Sequence, residues 1–248
     1  EWPDDKSRIP IAEGYARARY AIFVSDHNRR LTEDQLGIDL SNALIWPNPF
    51  LAGSDGPLPW PPAADVLRIA CVGRLFPREK GQDILLRMLA EEEWRSRPVE
   101  LEIYGKGVNR QTLVDMSERL GLENVRFCGH TSDVAAVWRR NHVLVLPSRS
   151  EGLPLVLVEA MLCGRVGVVT DVGGAGELVT DGLDGFIASA PTVERFAEAM
   201  ERAWTRRDEL EQVGLRAASA ARAYVGEDDP GARLAHKLLE DASSLAES

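Results

Sequence analysis

VLVLPSRSEGLPLVLVEAMLCGRVGVVT, residues Val143–Thr170, holds two apolar runs with a charged loop and a helical pattern between them. Val143–Leu146 reads as a strand closed by Pro147, a residue that cannot donate to a ladder. Leu155–Cys163 reads as a helix. Pro154 fits its first turn, where a missing N–H would be unpaired anyway, so the helix is expected to start near Leu153. Val166–Thr170 reads as a second strand. Strand, crossover helix and strand make a parallel pair, and unbroken Val/Leu strands are the kind buried on both faces. Two glutamates, Glu151 and Glu159, stand in this segment with seven residues between them. Charge inside an apolar run is expensive unless something pairs with it.

The alternation continues in both directions. Strands are expected at Ala21–Val24, Ala43–Trp46, Leu67–Val72, Glu100–Tyr104, Val125–Cys128 and Gly185–Ile187. Helical periodicity covers Thr32–Leu36, Gly81–Glu93, Arg110–Leu120, Ser132–Arg140, Ala175–Thr180, Val193–Thr205, Arg207–Ala223 and Ala232–Leu245. This predicts an α/β fold, a doubly wound, Rossmann-like parallel sheet with helices on both faces. Pro47–Ala64, with six prolines and two glycines, breaks the rhythm and reads as a linker. Before it lies a short βα piece of about residues 16–46, too small to bury a core alone.

The 248 residues are 44% apolar and 27% charged, as in an ordinary soluble globular chain. A net charge of −10 argues against a sequence-independent grip on nucleic acid, yet leaves room for a locally basic pocket. Cys71, Cys128 and Cys163 are odd in number and lie in apolar surroundings. They are expected to be buried free thiols in a reducing compartment. No apolar run approaches the ~18 residues that span a bilayer, and without a basic segment leading into an apolar core at the start no signal peptide is expected there. The chain begins Glu1-Trp2-Pro3 and is expected to be a fragment or a processed product.

In a doubly wound sheet, ligands bind beyond the carboxyl ends of the strands. After Leu67–Val72 come Gly73, Arg74, Lys80 and Gly81, two cations and two close-approach positions that suit a diphosphate or form a solvated basic loop. After Glu100–Tyr104 comes Gly105-Lys106-Gly107, which lacks the third glycine and the acidic ribose partner of an NAD site. His130 has no second His or Cys at ligand spacing, so lining a ligand suits it better than holding a metal. Ser132 is the expected cap of the next helix, with Asp133 in the first turn. Before the helix at 155, the N–H groups of Gly152, Leu153 and Leu155 make an anion site. Glu151 and Glu159 flank it, separated by up to ~12 Å along the axis. A nucleotide-sugar carries hydroxyls at both ends and a diphosphate between, and matches that order. In the plainer alternative Glu151 only complements the helix dipole and Glu159 pairs with an arginine.

Together these pieces form an order that resembles a known family. Val72-Gly73-Arg74-Leu75 with Lys80-Gly81, Ile103–Gly107, Val125–His130, Pro147–Pro154 through Glu159-Ala160-Met161, and Gly173-Gly174 with Glu177 resemble the C-terminal donor-binding domain of GT-B glycosyltransferases. The likeness is to the retaining family 4 (glycosyl transferase group 1) and covers about residues 66–225. It implies a metal-independent transferase of hexosyl type, working in polysaccharide biosynthesis with a UDP- or GDP-linked sugar as substrate and no cofactor. Arg74 and Lys80 would neutralise the diphosphate, Glu151 would contact donor-sugar hydroxyls, and Gly152 and Leu153 would offer N–H to phosphate. Glu159 would bind the ribose, and the base would lie near Gly105 and His130, with Gly73 allowing close approach. Arg74, Lys80 and Glu151 would be the catalytic set.

The resemblance also implies a domain plan. Residues 1–50 would be a remnant of an N-terminal acceptor domain, 51–65 a linker, and 66–225 the nucleotide-sugar-binding domain. Residues 226–248 would be a helix packing back towards the first domain. Because that domain supplies the acceptor pocket, this chain is expected to bind donor weakly or not at all alone and not to turn over. The acceptor would be a glycan, a lipid-linked molecule or a small molecule. The location would be cytoplasmic, with attachment to the inner membrane face through the absent domain. Rival readings are a nucleotide-sugar epimerase of the same fold and a non-catalytic scaffold. Arg149 and Arg165 are charges beside the motif without an assigned role.

Overall fold

A computed structural model describes residues 2–49, 56–62, 66–226 and 230–246. The chain divides into two compact units, Glu1–Pro49 with Val225–Ser248, and Phe50–Tyr224. The first begins with α1 (Asp5–Arg17), capped by the Asp4 carboxylate, which accepts from Ser7 N–H at 2.7 Å. This helix buries none of its residues and contains Pro10 and Gly14, so the sequence carries no apolar period to reveal it. Then follow β1 (Ala21–Phe23), α2 (Asp26–Leu36) and β2 (Ala43–Ile45). Helix α2 starts six residues before the expected Thr32, capped by Ser25, because its first turns are polar. β1 and β2 pair in parallel over a small core of Ala21, Phe23 and Leu40.

The second unit contains β3 (Leu67–Val72), α3 (Pro77–Lys80), α4 (Gln82–Leu89), α5 (Glu92–Arg95), β4 (Val99–Tyr104), α6 (Arg110–Arg119) and β5 (Val125–Gly129). It continues with α7 (Val134–Arg140), β6 (Val143–Leu146), α8 (Leu155–Leu162), β7 (Val166–Thr170), α9 (Ala175–Leu178), β8 (Gly185–Ala188), α10 (Val193–Thr205) and α11 (Leu210–Val225). Helix α12 (Pro230–Ala246) belongs to the first unit. The six strands β5-β4-β3-β6-β7-β8 form one parallel sheet in that order. The doubly wound α/β fold expected from sequence is therefore present. The chain builds β3, β4 and β5 outward in one direction, then returns to lay β6 on the other side of β3. The switch point between β3 and β6 is where such sheets open a crevice. β6 and β7 are buried at every position, which is why their sequences show no polar alternation.

Several expectations change in detail. The single helix expected over Gly81–Glu93 is two pieces, α4 and α5, broken at Ala90 and Glu91, and left-handed Gly81 (φ 65°) separates α4 from the short α3 before it. Helix α8 starts at Leu155, and Pro154 is its cap rather than a first-turn residue. Asp133, not Ser132, caps α7, its carboxylate accepting from Ala136 N–H at 2.9 Å. Cys71 and Cys163 are buried, but Cys128 is exposed, because β5 is an edge strand whose alternate residues face outward.

The linker expected at 51–65 is described only over 56–62, within the second unit; residues 50–55 and 63–65 lie outside the described residues. Buried Arg165 ties this segment to the start of β7. Its guanidinium donates to Trp138 O and Pro59 O at 2.6 Å each and to Leu58 O at 3.3 Å, and it lies over the Trp60 ring. Burial depresses its pKa to about 10, which leaves it charged at neutral pH. Arg165 is thus a staple at the amino ends of the strands. No described helix is long and apolar enough to cross a membrane.

Candidate functional site

The carboxyl ends of β3 to β7 carry the turns that the sequence singled out. Backbone crowding holds these turns together. Gly105 (φ 141°) comes so near the turn after β3 that an added Cβ would sit 1.8 Å from Gly73 O. At Gly173 (φ 58°) an added Cβ would sit 2.3 Å from Glu151 O and 2.4 Å from Gly152 O. Only glycine tolerates both that φ and that approach. Gly174 N–H then donates to Gly152 O at 2.7 Å, fixing the loop after β7 to the loop after β6.

Lys80 and Glu151 meet across the switch point. Lys80 Nζ lies 2.7 Å from each Glu151 carboxylate oxygen, and Ser148 Oγ donates to Glu151 Oε1 at 2.7 Å. The side chains are 24% and 9% exposed, so the pair is largely withdrawn from water and little screened. Arg74 behaves differently. Its exposed guanidinium pairs with Glu79 and lies 5.2 Å over the Phe76 ring. The sequence placed Arg74 and Lys80 at one point; in the structure each is held by its own carboxylate. Arg149 forms a forked pair with Asp83 at 2.7 and 2.9 Å. Glu79 was not foreseen as important. Its carbonyl accepts from Arg149 N–H at 2.6 Å and Ser150 N–H at 3.2 Å, while its carboxylate holds Arg74. Buried Cys71 lies near the Lys80–Glu151 pair, and desolvation pushes its thiol up to about 12, so it stays protonated.

On the other side of Gly73 an open groove of about 470 Å3 is lined by Val72, Gly73, Arg74, Tyr104, Gly105, Lys106, His130 and Thr131. This groove brings Gly73, Arg74, Gly105 and His130 together and leaves Lys80 outside it. Behind Tyr104 lies a carboxylate that sequence reading missed. Glu102 is 2% exposed and accepts from Tyr104 Oη at 2.6 Å, Asn141 Nδ2 at 2.9 Å, Arg140 at 2.7 Å and Arg126 at 3.1 Å. Burial alone would raise its pKa, but the hydrogen bonds and the two guanidinium groups outweigh it and hold the carboxyl below its usual range. Burial and then Glu102 push the Tyr104 hydroxyl up. The signal was present as Glu102, the second of two alternating glutamates in the strand Val99–Tyr104.

Glu159 stands half-buried in the second turn of α8. Gly152 and Leu153 precede the helix, and Leu153 is buried. Among the described residues no group of three His, Cys, Asp or Glu could hold a metal ion. A larger cavity of about 650 Å3 lies at the amino ends of the strands, beside Trp60, His142 and Trp204. It contains none of the site residues, and its indoles are already covered: Trp204 by Arg97 and Arg207, Trp60 by Arg165.

Residues 67–206, more than half of the chain, match the family model described as glycosyl transferases group 1. The chain belongs to that family. This group 1 glycosyltransferase chain is 32% identical over 161 residues to a D-inositol 3-phosphate glycosyltransferase of Gordonia bronchialis, which covers 60% of this chain and 35% of that protein. It is 34% identical over 142 residues to a GDP-mannose-dependent alpha-(1-6)-phosphatidylinositol monomannoside mannosyltransferase of Mycolicibacterium smegmatis, covering 53% and 37%. The chain thus spans little more than a third of the length of these relatives. The crystal structure of Anabaena Alr3699/HepE in complex with UDP and glucose shares the fold. Its TM-score is 0.78 at 24% identity, covering 96% of this chain and 66% of that one.

Proposed function

We propose that this chain is the donor-binding, C-terminal half of a retaining GT-B glycosyltransferase that moves a hexosyl group from a UDP- or GDP-linked sugar to an acceptor. The observation that carries this reading is the Lys80–Glu151 pair at 2.7 Å across the switch point. One cation and one acceptor meet there, where a phosphate and a sugar hydroxyl would need them. The order of strand ends fits a nucleotide-sugar laid along the sheet edge. The base lies over β5 and β4 beside His130 and Gly105, the diphosphate over β3 and β6, and the sugar towards Glu151 and Gly173. Five strand ends at ~4.8 Å spacing span roughly 19 Å. Arg74 and Lys80 stabilise charge on the departing diphosphate, doing without a metal. Gly152 and Leu153 offer backbone to phosphate, Gly73 permits its approach, and Glu159 accepts from the ribose hydroxyls.

The relatives' length, and the exposure of Ile9, Ile11, Ile22 and Ile45 in the first unit, support a further acceptor-binding domain beyond this chain. On this reading residues 1–50 and 226–248 belong with that domain, and this chain alone binds donor weakly and does not turn over. The acceptor is a glycan, a lipid-linked molecule or a small molecule, and the reaction is cytoplasmic, where nucleotide-sugars are made. Epimerase chemistry would need an added acid and base beyond the residues assigned here to the donor.

The test is calorimetric titration of the full polypeptide with UDP and GDP. At least one should bind, and Glu159→Ala should weaken it about tenfold or more, the loss of one charge-assisted contact. Failure of both nucleotides would sink the reading.

A further inference from the structure

We infer that Lys106 reads the nucleotide base and restricts the donor to bases with a carbonyl at their distal edge, uracil or guanine. The inference rests on the donor-site reading above and narrows it. Three cations line the edge from β3 to β6, and each is held by a carboxylate: Arg74 by Glu79, Lys80 by Glu151, Arg149 by Asp83. Lys106 has no such partner. It is exposed, it lines the groove with Tyr104, His130 and Thr131, and its ammonium makes no ion pair or hydrogen bond with any described residue.

Its main chain, in contrast, is fixed. Leu75 N–H donates to Lys106 O at 2.9 Å, and the next residue, Gly107, packs so closely that an added Cβ would lie 2.2 Å from Leu75 O. The side chain therefore springs from a rigid point on the wall of the groove. That groove runs from the β3 turn, where Arg74 lines it, to the ends of β4 and β5, and it does not include the Lys80–Glu151 pair; with the diphosphate at Arg74, the part of the donor that reaches the Lys106 end is the base.

The chemistry then decides the preference. A lysine ammonium has three donors and no acceptor. Uracil O4 and guanine O6 are acceptors, whereas cytosine and adenine carry an amino donor at the same place. A cytosine or adenine nucleotide would cover the ammonium without pairing it, and an unpaired desolvated charge is penalised. His130 can donate or accept and so does not discriminate. Tyr104 points its hydroxyl away, into Glu102.

The experiment is calorimetry on the full polypeptide with four diphosphates, UDP against CDP and GDP against ADP, and with UMP against UDP. Wild type should prefer UDP over CDP, or GDP over ADP, by about tenfold or more, the range of one charge-assisted hydrogen bond. Lys106→Met should collapse that ratio and leave the gain of UDP over UMP unchanged; Lys106→Arg should keep part of the preference. Circular dichroism of the variants confirms the fold, which an exposed side chain does not hold. The proposal is overturned if wild type shows no base preference or if the preference survives in Lys106→Met. It is overturned equally if the methionine variant loses the UDP-over-UMP gain, which would place Lys106 on the phosphates. Binding of no nucleotide at all would instead sink the donor-site reading itself, and this proposal with it.

Discussion

The two halves of the sheet edge are built on different principles. Over β3, β6 and β7 the charged groups are satisfied internally: Lys80 by Glu151, Arg74 by Glu79, Glu151 also by Ser148. Over β4 and β5, Lys106 and His130 line an open groove and have no partner among the described residues. The first half is assembled in advance, so on the proposed reading a diphosphate exchanges with carboxylates already in place. That exchange costs little reorganisation because the donors are already positioned. The second half is free to inspect what enters it. On that reading positioning and selection are separated along one edge.

The strongest way to break this contrast is at its most organised point. Glu151→Ala should lower the transfer rate of the full polypeptide by about 10²–10³-fold, the usual cost of losing one preorganised polar group. Steady-state rates with a suitable acceptor check it. If the rate stays within a few-fold of wild type, the prearranged half does not serve the reaction.

Glycine replacement compares the halves directly. Gly173→Ala meets two carbonyl oxygens at 2.3 and 2.4 Å and a left-handed φ of 58°, and should cost about 3 kcal/mol. Gly129→Ala, at φ 74° with nothing within 4 Å, should cost only the backbone penalty of about 1–2 kcal/mol. Urea denaturation of both variants measures the difference, and equal costs would refute the claim that backbone crowding at Gly173 holds the β6 and β7 turns together.

The smallest effect concerns acid. Glu102 has a folded-state pKa below its usual value, so its contribution is fully present above about pH 4.5 and is lost as pH falls through the lower folded value. Glu102→Gln should lower stability at pH 7 by about 1–2 kcal/mol, in the range of a buried charge-assisted network, and flatten the acid limb of a stability–pH curve. An unchanged acid limb would show that the wall behind Tyr104 is not held by this carboxylate.

Much of this was legible in the chain. Buried parallel strands announce themselves as apolar runs rich in Val and Leu, and β6 and β7 fall where those runs do. The α8 segment and its two glutamates could be read because a carboxylate in an apolar run is conspicuous. What escaped depended on partners distant in sequence. That Lys80 pairs with Glu151, seventy-one residues away, is set by β3 and β6 lying side by side, a fact of topology. That Arg74 turns to Glu79 instead of joining Lys80 is a choice between nearby carboxylates. Helix α1 escaped for the opposite reason, since a helix that buries no residue leaves no period to find.

One contact has a longer reach than its size suggests. The Glu79 carbonyl receives the amides of both Arg149 and Ser150, joining the turn that bears Arg74 and Lys80 to the turn that bears Glu151. It is made wholly by main chain. Side chains at 79, 149 and 150 can therefore drift over generations without unhooking the two turns, unless a proline removes an amide at 149 or 150. The identity of the charges at this edge is open to change, while their spacing is inherited. If the proposed donor site is right, a lineage can retune which donor it prefers and keep the distance between leaving group and sugar as a given.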